Sequence, residues 1–120
     1  MSKLFAMAVP ILPGQIDHWH KFMNTLKGEK SKEYKSNRER LGVRERAFLQ
    51  KSPQMDIVVV TLEGNDPEAA FAKFGIGNDD FTRWFRDEVL AIHGFDLAAP
   101  PSEPMPELYV DSGEINVSVY

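Results

Sequence analysis

The 120-residue sequence predicts one α+β domain with the element order β-α-β-β-α-β. Three observations predict it: apolar runs of strand length, two stretches in which apolar residues recur with helical periodicity, and breaks at glycine or proline between them. A chain of this order closes most simply as a ferredoxin-like antiparallel sheet that carries both helices on one face. The hydrophobic content of 42% suffices for one core, and the length argues against a second domain.

The first half of the chain predicts one strand and one interrupted helix. Residues 3–12 are apolar at both alternating positions, which is typical of a strand that is covered on both faces. Beyond this strand the apolar positions recur with helical spacing, and the same phase continues past Gly28 to Tyr34 and Leu41. Gly28 therefore predicts a kink or a short loop, and Gly42 predicts the end of the helix.

The second half predicts a hairpin and a second interrupted helix. Residues 43–51 alternate in polarity, and residues 56–62 are largely β-branched on both faces, so the two segments are expected to pair. Residues 65–68 and residues 79–80 each contain a side chain suited to cap the start of a helix. Gly94 predicts the end of this broken helix.

The C-terminal part predicts a fourth strand after a proline-rich connector. Residues 98–106 contain four of the eight prolines, and Glu107 to Asp111 follow as a short strand. This strand completes a domain at residues 1–112. Residues 113–120 form a tail whose alternating pattern predicts an additional edge strand, in this chain or swapped into a second copy, with a frayed terminus as the alternative.

The net charge of −4 conceals a basic block at residues 27–46, which holds eight of the 14 basic residues and four of the 18 acidic ones. Its opposite charges recur at helical spacing and its one aromatic residue is Tyr34, so the block predicts a solvated helix face. The sequence therefore predicts no nucleic-acid partner and no membrane partner. Without cysteine there is no disulfide or thiolate site, and the short apolar N-terminal run predicts a cytoplasmic protein.

A sheet that carries helices on one face leaves its other face uncovered. The first three predicted strands carry bulky apolar side chains at both alternating positions. Because a large exposed apolar face is unfavourable in water, we expect a second copy of the same sheet to cover it. The sequence therefore predicts a homodimer.

Several segments resemble a known group of proteins. These segments are RLGVRERAFLQKSPQMDIVVVTLEGNDPEAAFAKF, DDFTRWFRDEVLAIHGFDLAAP and ELYVD, and the most specific piece is RWFRDEVLAIHGFDL. They resemble small, largely uncharacterised bacterial proteins of the dimeric α+β barrel superfamily, over about residues 3–112. The resemblance implies a homodimer in which two sheets face each other, and it implies no particular reaction.

The wider superfamily includes cofactor-free monooxygenases, EthD-like proteins, muconolactone isomerase and haem-using members. None of their catalytic motifs is matched in this sequence, so any of these activities would be an analogy from the fold. We expect no cofactor, and a haem-binding variant is the weaker alternative.

Glu45, His93 and His20 are the candidate catalytic residues. Strand alternation places Glu45 on the side that faces the helices, where it acts as a general acid or base or pairs with a basic side chain. His93 lies in the last turn of the second helix, where it caps the helix or transfers protons. His20 lies at the edge of an apolar stripe, and its spacing from His18 predicts no metal site.

Trp84, Arg83 and Phe81 are the candidate ligand-pocket residues, with a purely structural aromatic core as the alternative. The favoured function is a homodimeric enzyme that acts on a hydrophobic metabolite by general acid–base chemistry. The alternative is a non-catalytic dimer that binds a ligand or a protein partner. An ion pair at Glu45, a solvent-exposed His93 and the lack of a cavity would favour this second function.

Overall fold

The structure, a computed structural model, describes residues 2–100 and 104–113. These residues form a three-stranded antiparallel sheet and four helices, so the predicted α+β class is confirmed. The elements in chain order are β1 (Lys3–Pro10), α1 (Ile16–Lys27), α2 (Ser31–Leu41), β2 (Val43–Gln50), β3 (Ile57–Gly64), α3 (Pro67–Ile76) and α4 (Asp80–His93).

The strands lie in the order β1-β3-β2, and the predicted β2-β3 hairpin is confirmed. The register places Val9 and Leu49 on either side of Val58, and all three pack in or against the core beneath the helices. The next row places Ala8 and Phe48 beside the same central strand, on the opposite face. Phe48 is 57% exposed, so the sheet has one face in the core and one face open to solvent, where apolar side chains lie beside the ion pair between Arg46 and Glu63.

The predicted fourth strand at Glu107 to Asp111 is wrong for this structure, because residues 104–113 contain no strand. Leu108, Tyr109 and Val110 are 60%, 88% and 82% exposed, so the segment has strand-forming side chains but no packed face. It borders β1 along a surface groove without joining the sheet. The nearby prolines lack the N–H donors that pairing would need. The predicted fifth strand lies outside the described residues.

Both predicted helix interruptions are confirmed. The first falls at Gly28, between α1 and α2, and the second separates α3 from α4. Asp66 and Asp79 each accept a hydrogen bond from the backbone N–H three residues later, which satisfies a donor at the start of a helix. Gly42 and Gly94 end α2 and α4 with φ angles of 74° and 68°, a left-handed conformation that favours glycine.

The core lies between the helices and the inner face of the sheet. Its most deeply buried side chains are Leu62, Ile92 and Val58. Aromatic rings from α1, α3 and α4 meet above the sheet, and Phe85 contacts Phe22 and Phe74 with ring centroids 5.2 and 6.0 Å apart. This aromatic layer forms the helix-side wall of the candidate site.

Candidate functional site

A cavity of about 70 Å³ lies between the sheet and the helices. Most of its wall is apolar, and the side chains with nitrogen or oxygen atoms that line it are Trp19, Tyr34, Glu45 and His93. One water molecule needs roughly 10–15 Å³ of such space, and an apolar cavity of roughly 150 Å³ binds benzene. The cavity therefore has room for a few waters or for a small apolar group.

Glu45 lies on the helix-facing side of β2 and is held there by α2. Its Oε1 accepts hydrogen bonds from the Tyr34 hydroxyl at 2.9 Å and from Arg38 Nε at 2.6 Å. The Arg38 and Glu45 side chains are only 7% and 8% exposed, so this is a buried ion pair. Burial, and then the nearby Glu45 charge, raise the pKa of Tyr34, so its hydroxyl remains a donor.

Arg38 is surrounded by aromatic rings. Its guanidinium carbon lies 4.1 Å from the centroid of Phe74, 4.6 Å from that of Phe85 and 5.1 Å from that of Tyr34. These faces attract the cation and exclude water from it. Nη1 donates to the amide oxygen of Asn37, whereas Nη2 is buried without a hydrogen-bond partner in the described part of the chain.

His93, in the last turn of α4, contacts the end of β1. Its Nδ1 lies 2.8 Å from the carbonyl oxygen of Pro10, which can only accept, so Nδ1 carries the hydrogen. Burial lowers the pKa of His93, and the bond to Pro10 opposes this in part. The neutral ring leaves Nε2 as an acceptor, and no described residue hydrogen-bonds it. His93 therefore lines the cavity as a potential base.

The other four candidate residues do not line this cavity. His20 is exposed and lies beside Trp19. Arg83 is exposed and pairs with an acidic side chain one turn earlier, and Phe81 is a core residue with 5% exposure. Trp84 packs on Phe81 and lines a surface depression instead. The structure thus brings the predicted strand carboxylate and the predicted α4 histidine to one cavity, without the other four.

Sequence reasoning missed three residues of the site: Trp19, Tyr34 and Arg38. The signal for Arg38 was present, because it comes four residues after Tyr34 and three before Leu41, on the face that the helical phase assigns to the core. Because Arg38 lies within the basic block, which was interpreted as a solvated helix face, it was not predicted to be buried. Trp19 is one of the apolar positions that recur with helical spacing after the first strand, a pattern that says nothing about its indole N–H. Its Nε1 is a buried donor without a partner in the described residues.

The surface histidine His18 forms a different contact. Its Nε2 lies 2.5 Å from a carboxylate oxygen of Glu88, and its Nδ1 lies 3.0 Å from Gln15 Oε1.

Within residues 2–100 and 104–113, no three His, Cys, Asp or Glu side chains are grouped so that they would hold a metal ion. No helix of these residues has the length and apolar character needed to cross a membrane.

The described chain is an α+β protein with a small, mainly apolar cavity that carries a carboxylate and a histidine on its wall. Comparisons with protein-family models, curated proteins and solved structures each found no match. The resemblance to the dimeric α+β barrel superfamily therefore stays a prediction. The function has to be argued from the geometry of the site.

Replacing Arg38 with methionine is expected to lower the free energy of unfolding by about 3 kcal/mol, because removing one member of a buried ion pair leaves the other charge buried without a partner. Urea unfolding followed by tryptophan fluorescence measures this loss. Arg40→Met removes an exposed cation from the same helix and should cost less than about 0.5 kcal/mol. Adding Glu45→Leu to Arg38→Met should recover part of the loss. Equal costs for Arg38→Met and Arg40→Met would contradict the role of the pair.

The pKa of His93 below its usual 6.5 predicts a pH dependence of stability. As the pH falls, the unfolded chain binds the proton first, so the stability from neutral His93 is complete above about pH 6.5 and is lost as the pH falls through the folded-state pKa. The unfolding free energy of the wild type should therefore fall more between about pH 7.5 and about pH 5 than that of His93→Gln.

His20→Gln serves as the control, because the exposed His20 ring should leave this pH dependence unchanged. The His93 ring can also be titrated directly by NMR in the wild type. A midpoint at or above the usual value would contradict the prediction.

Proposed function

We propose that the protein is a homodimeric small-molecule-binding enzyme that acts on a hydrophobic metabolite by general acid–base chemistry at this cavity. The observation that carries the proposal is the presence of Glu45 and His93 together on an otherwise largely apolar wall. An apolar wall favours a ligand of the same character, and the two ionisable groups give it a defined orientation.

The free ring nitrogen of His93 is the group suited to move a proton. Neutral His93 takes a proton from one atom of the bound molecule at Nε2 and returns it to another atom, so the reaction balances without a co-reactant. Glu45 keeps Oε2 available, because both of its hydrogen bonds are made by Oε1. This oxygen can accept a hydrogen bond from the ligand. Isomerisation needs no more than these groups, whereas monooxygenase or EthD-like activity rests on fold analogy alone.

The second candidate function is a non-catalytic dimer that binds a ligand or a partner. The ion pair between Arg38 and Glu45 favours it, because it gives the buried carboxylate a structural role. The small volume of the cavity favours it too. The burial of His93, which is 8% exposed and lines the cavity, favours the enzyme instead.

An exchange assay separates the two functions. Acetone in deuterated water is the probe, because it is small and because proton transfer next to its carbonyl exchanges hydrogen for deuterium without changing the molecule. We expect the wild type to accelerate this exchange and His93→Gln to lower the rate by about 100-fold, the lower end of what general-base catalysis supplies. His20→Gln should retain the wild-type rate. Cavity NMR shifts with the probe but no accelerated exchange would favour the non-catalytic function.

The homodimer in this proposal is supported by the open face of the sheet. Phe48 is 57% exposed and Leu4 is 44% exposed, both on the face away from the helices. The Thr61 hydroxyl on the same face is buried yet has no hydrogen-bond partner in the described residues. The strand order is compatible with a ferredoxin-like sheet, and two such sheets packed face to face would form the barrel that the resemblance implies.

We expect the wild type to sediment as a dimer at micromolar concentration. Phe48→Asp should raise the dimer dissociation constant by at least about 30-fold, because it replaces a large exposed apolar side chain of this face with a charge. Ile76→Asp is the matched control, since Ile76 is 78% exposed on α3, outside the sheet. A monomeric wild type, or equal weakening by both variants, would contradict this interface.

A further inference from the structure

A surface groove lies beside the cavity, between α1, α2 and the start of β2. It is lined by four cationic side chains and two carboxylates in a chain whose net charge is −4. The cations are Lys27, Lys35, Arg38 and Arg44, and the carboxylates are Glu39 and Glu45. The groove is therefore a local concentration of positive charge on an acidic protein, and this polarity favours an anion.

The groove and the cavity share part of their walls. Leu26, Tyr34 and Glu45 line both. A single molecule can therefore place an apolar part in the cavity and a polar part in the groove, with these three side chains at the boundary. The two spaces differ as such a molecule would require, because the cavity is mainly apolar, whereas six of the ten residues that line the groove are charged.

The positive charge of the groove is not cancelled within the described residues. Arg38 and Glu45 neutralise each other at 2.6 Å. Lys27, Lys35 and Arg44 form no ion pair in the described part of the chain. These three cations are exposed, so an arriving anion does not have to displace an existing partner.

Arg38 supplies an independent observation. The residue is 6% exposed, and its Nη2 is a buried donor without a partner in the described residues. A buried guanidinium N–H without an acceptor is unfavourable, and a carboxylate oxygen is the acceptor that matches it best. Arg38 lines the groove, so a cation with an unsatisfied donor forms part of the groove wall and adds to its attraction for a carboxylate.

We propose that the ligand of this site is an amphipathic anion, with a short apolar body in the cavity and a carboxylate in the groove. Lys35 and Arg44 attract the carboxylate from solvent, and Arg38 adds a third cation in the groove wall. This inference rests on the proposed function only in assigning a ligand to the cavity, and it does not depend on catalysis. Arg38 offsets the charge of Glu45, which reduces the repulsion between Glu45 and the anion.

The test compares two probes of equal chain length, butanoate and butan-1-ol, by NMR titration at low ionic strength. We expect the wild type to bind butanoate about tenfold more tightly than butan-1-ol. Lys35→Gln/Arg44→Gln should weaken butanoate binding by about three- to tenfold, as expected for two exposed charges, and should leave butan-1-ol binding unchanged. Added salt should reduce the preference for butanoate. Lys32→Gln/Arg40→Gln removes the same charge from α2, away from the groove lining, and should preserve that preference.

A cavity variant distinguishes failure of this inference from failure of the proposed function. Val60→Phe fills space at the cavity wall and should abolish binding of both probes, whereas Leu90→Phe on the exposed side of α4 should not. If Val60→Phe leaves the binding of both probes unchanged, the cavity is not the ligand site and the proposed function fails. If both probes bind equally in the cavity and the groove variant changes neither, the anion preference alone is overturned. Butanoate binding that needs the groove but not the cavity also overturns the inference.

Discussion

The buried ion pair between Arg38 and Glu45 is the interaction on which the arrangement of the site depends. It joins α2 to β2, two elements that are separated by Gly42 alone and that each contribute a residue to the lining of the cavity. Burying two charges is costly unless each finds good partners. Tyr34 supplies a second hydrogen bond to the carboxylate, and the rings of Phe74 and Phe85 enclose the guanidinium. The position of α2, and with it the boundary between cavity and groove, follows from these contacts.

The hydrogen bonds of Arg38 continue through Asn37 to the start of α4. Asn37 donates to the Thr82 hydroxyl at 3.4 Å, and that hydroxyl donates to Asp79 at 2.8 Å. This hydrogen bond from Thr82 is the main reason that the pKa of Asp79 is lowered, and it anchors the start of α4. The other end of α4 is fixed separately, by the bond between His93 and the carbonyl of Pro10. Two sets of polar contacts at the two ends of one helix therefore hold Glu45 and His93 in place.

Local patterns in the sequence predicted the elements, but not the contacts between distant elements. Hydrophobic periodicity and capping residues identified the three strands and both interrupted helices, because these signals are local. The segment around Tyr109 has a strand-like composition, but pairing depends on an accessible edge, which its own residues do not encode. The bond between His93 and Pro10 spans 83 positions, so no local pattern predicts it. Arg38 was overlooked because its charge outweighed the helical phase that placed it in the core.

The contacts of Glu45 also bear on which of the two ionisable residues is suited to transfer a proton. Protonating Glu45 would weaken its bonds to both Arg38 and Tyr34, and those bonds hold the wall of the cavity together. His93 has no such constraint, since its bond to Pro10 uses Nδ1 and leaves Nε2 free. Under the proposed function, a proton transfer in this cavity would therefore be carried by His93, and Glu45 would orient the ligand. The ion pair of Glu45 would thereby restrict that chemistry to one of the two residues.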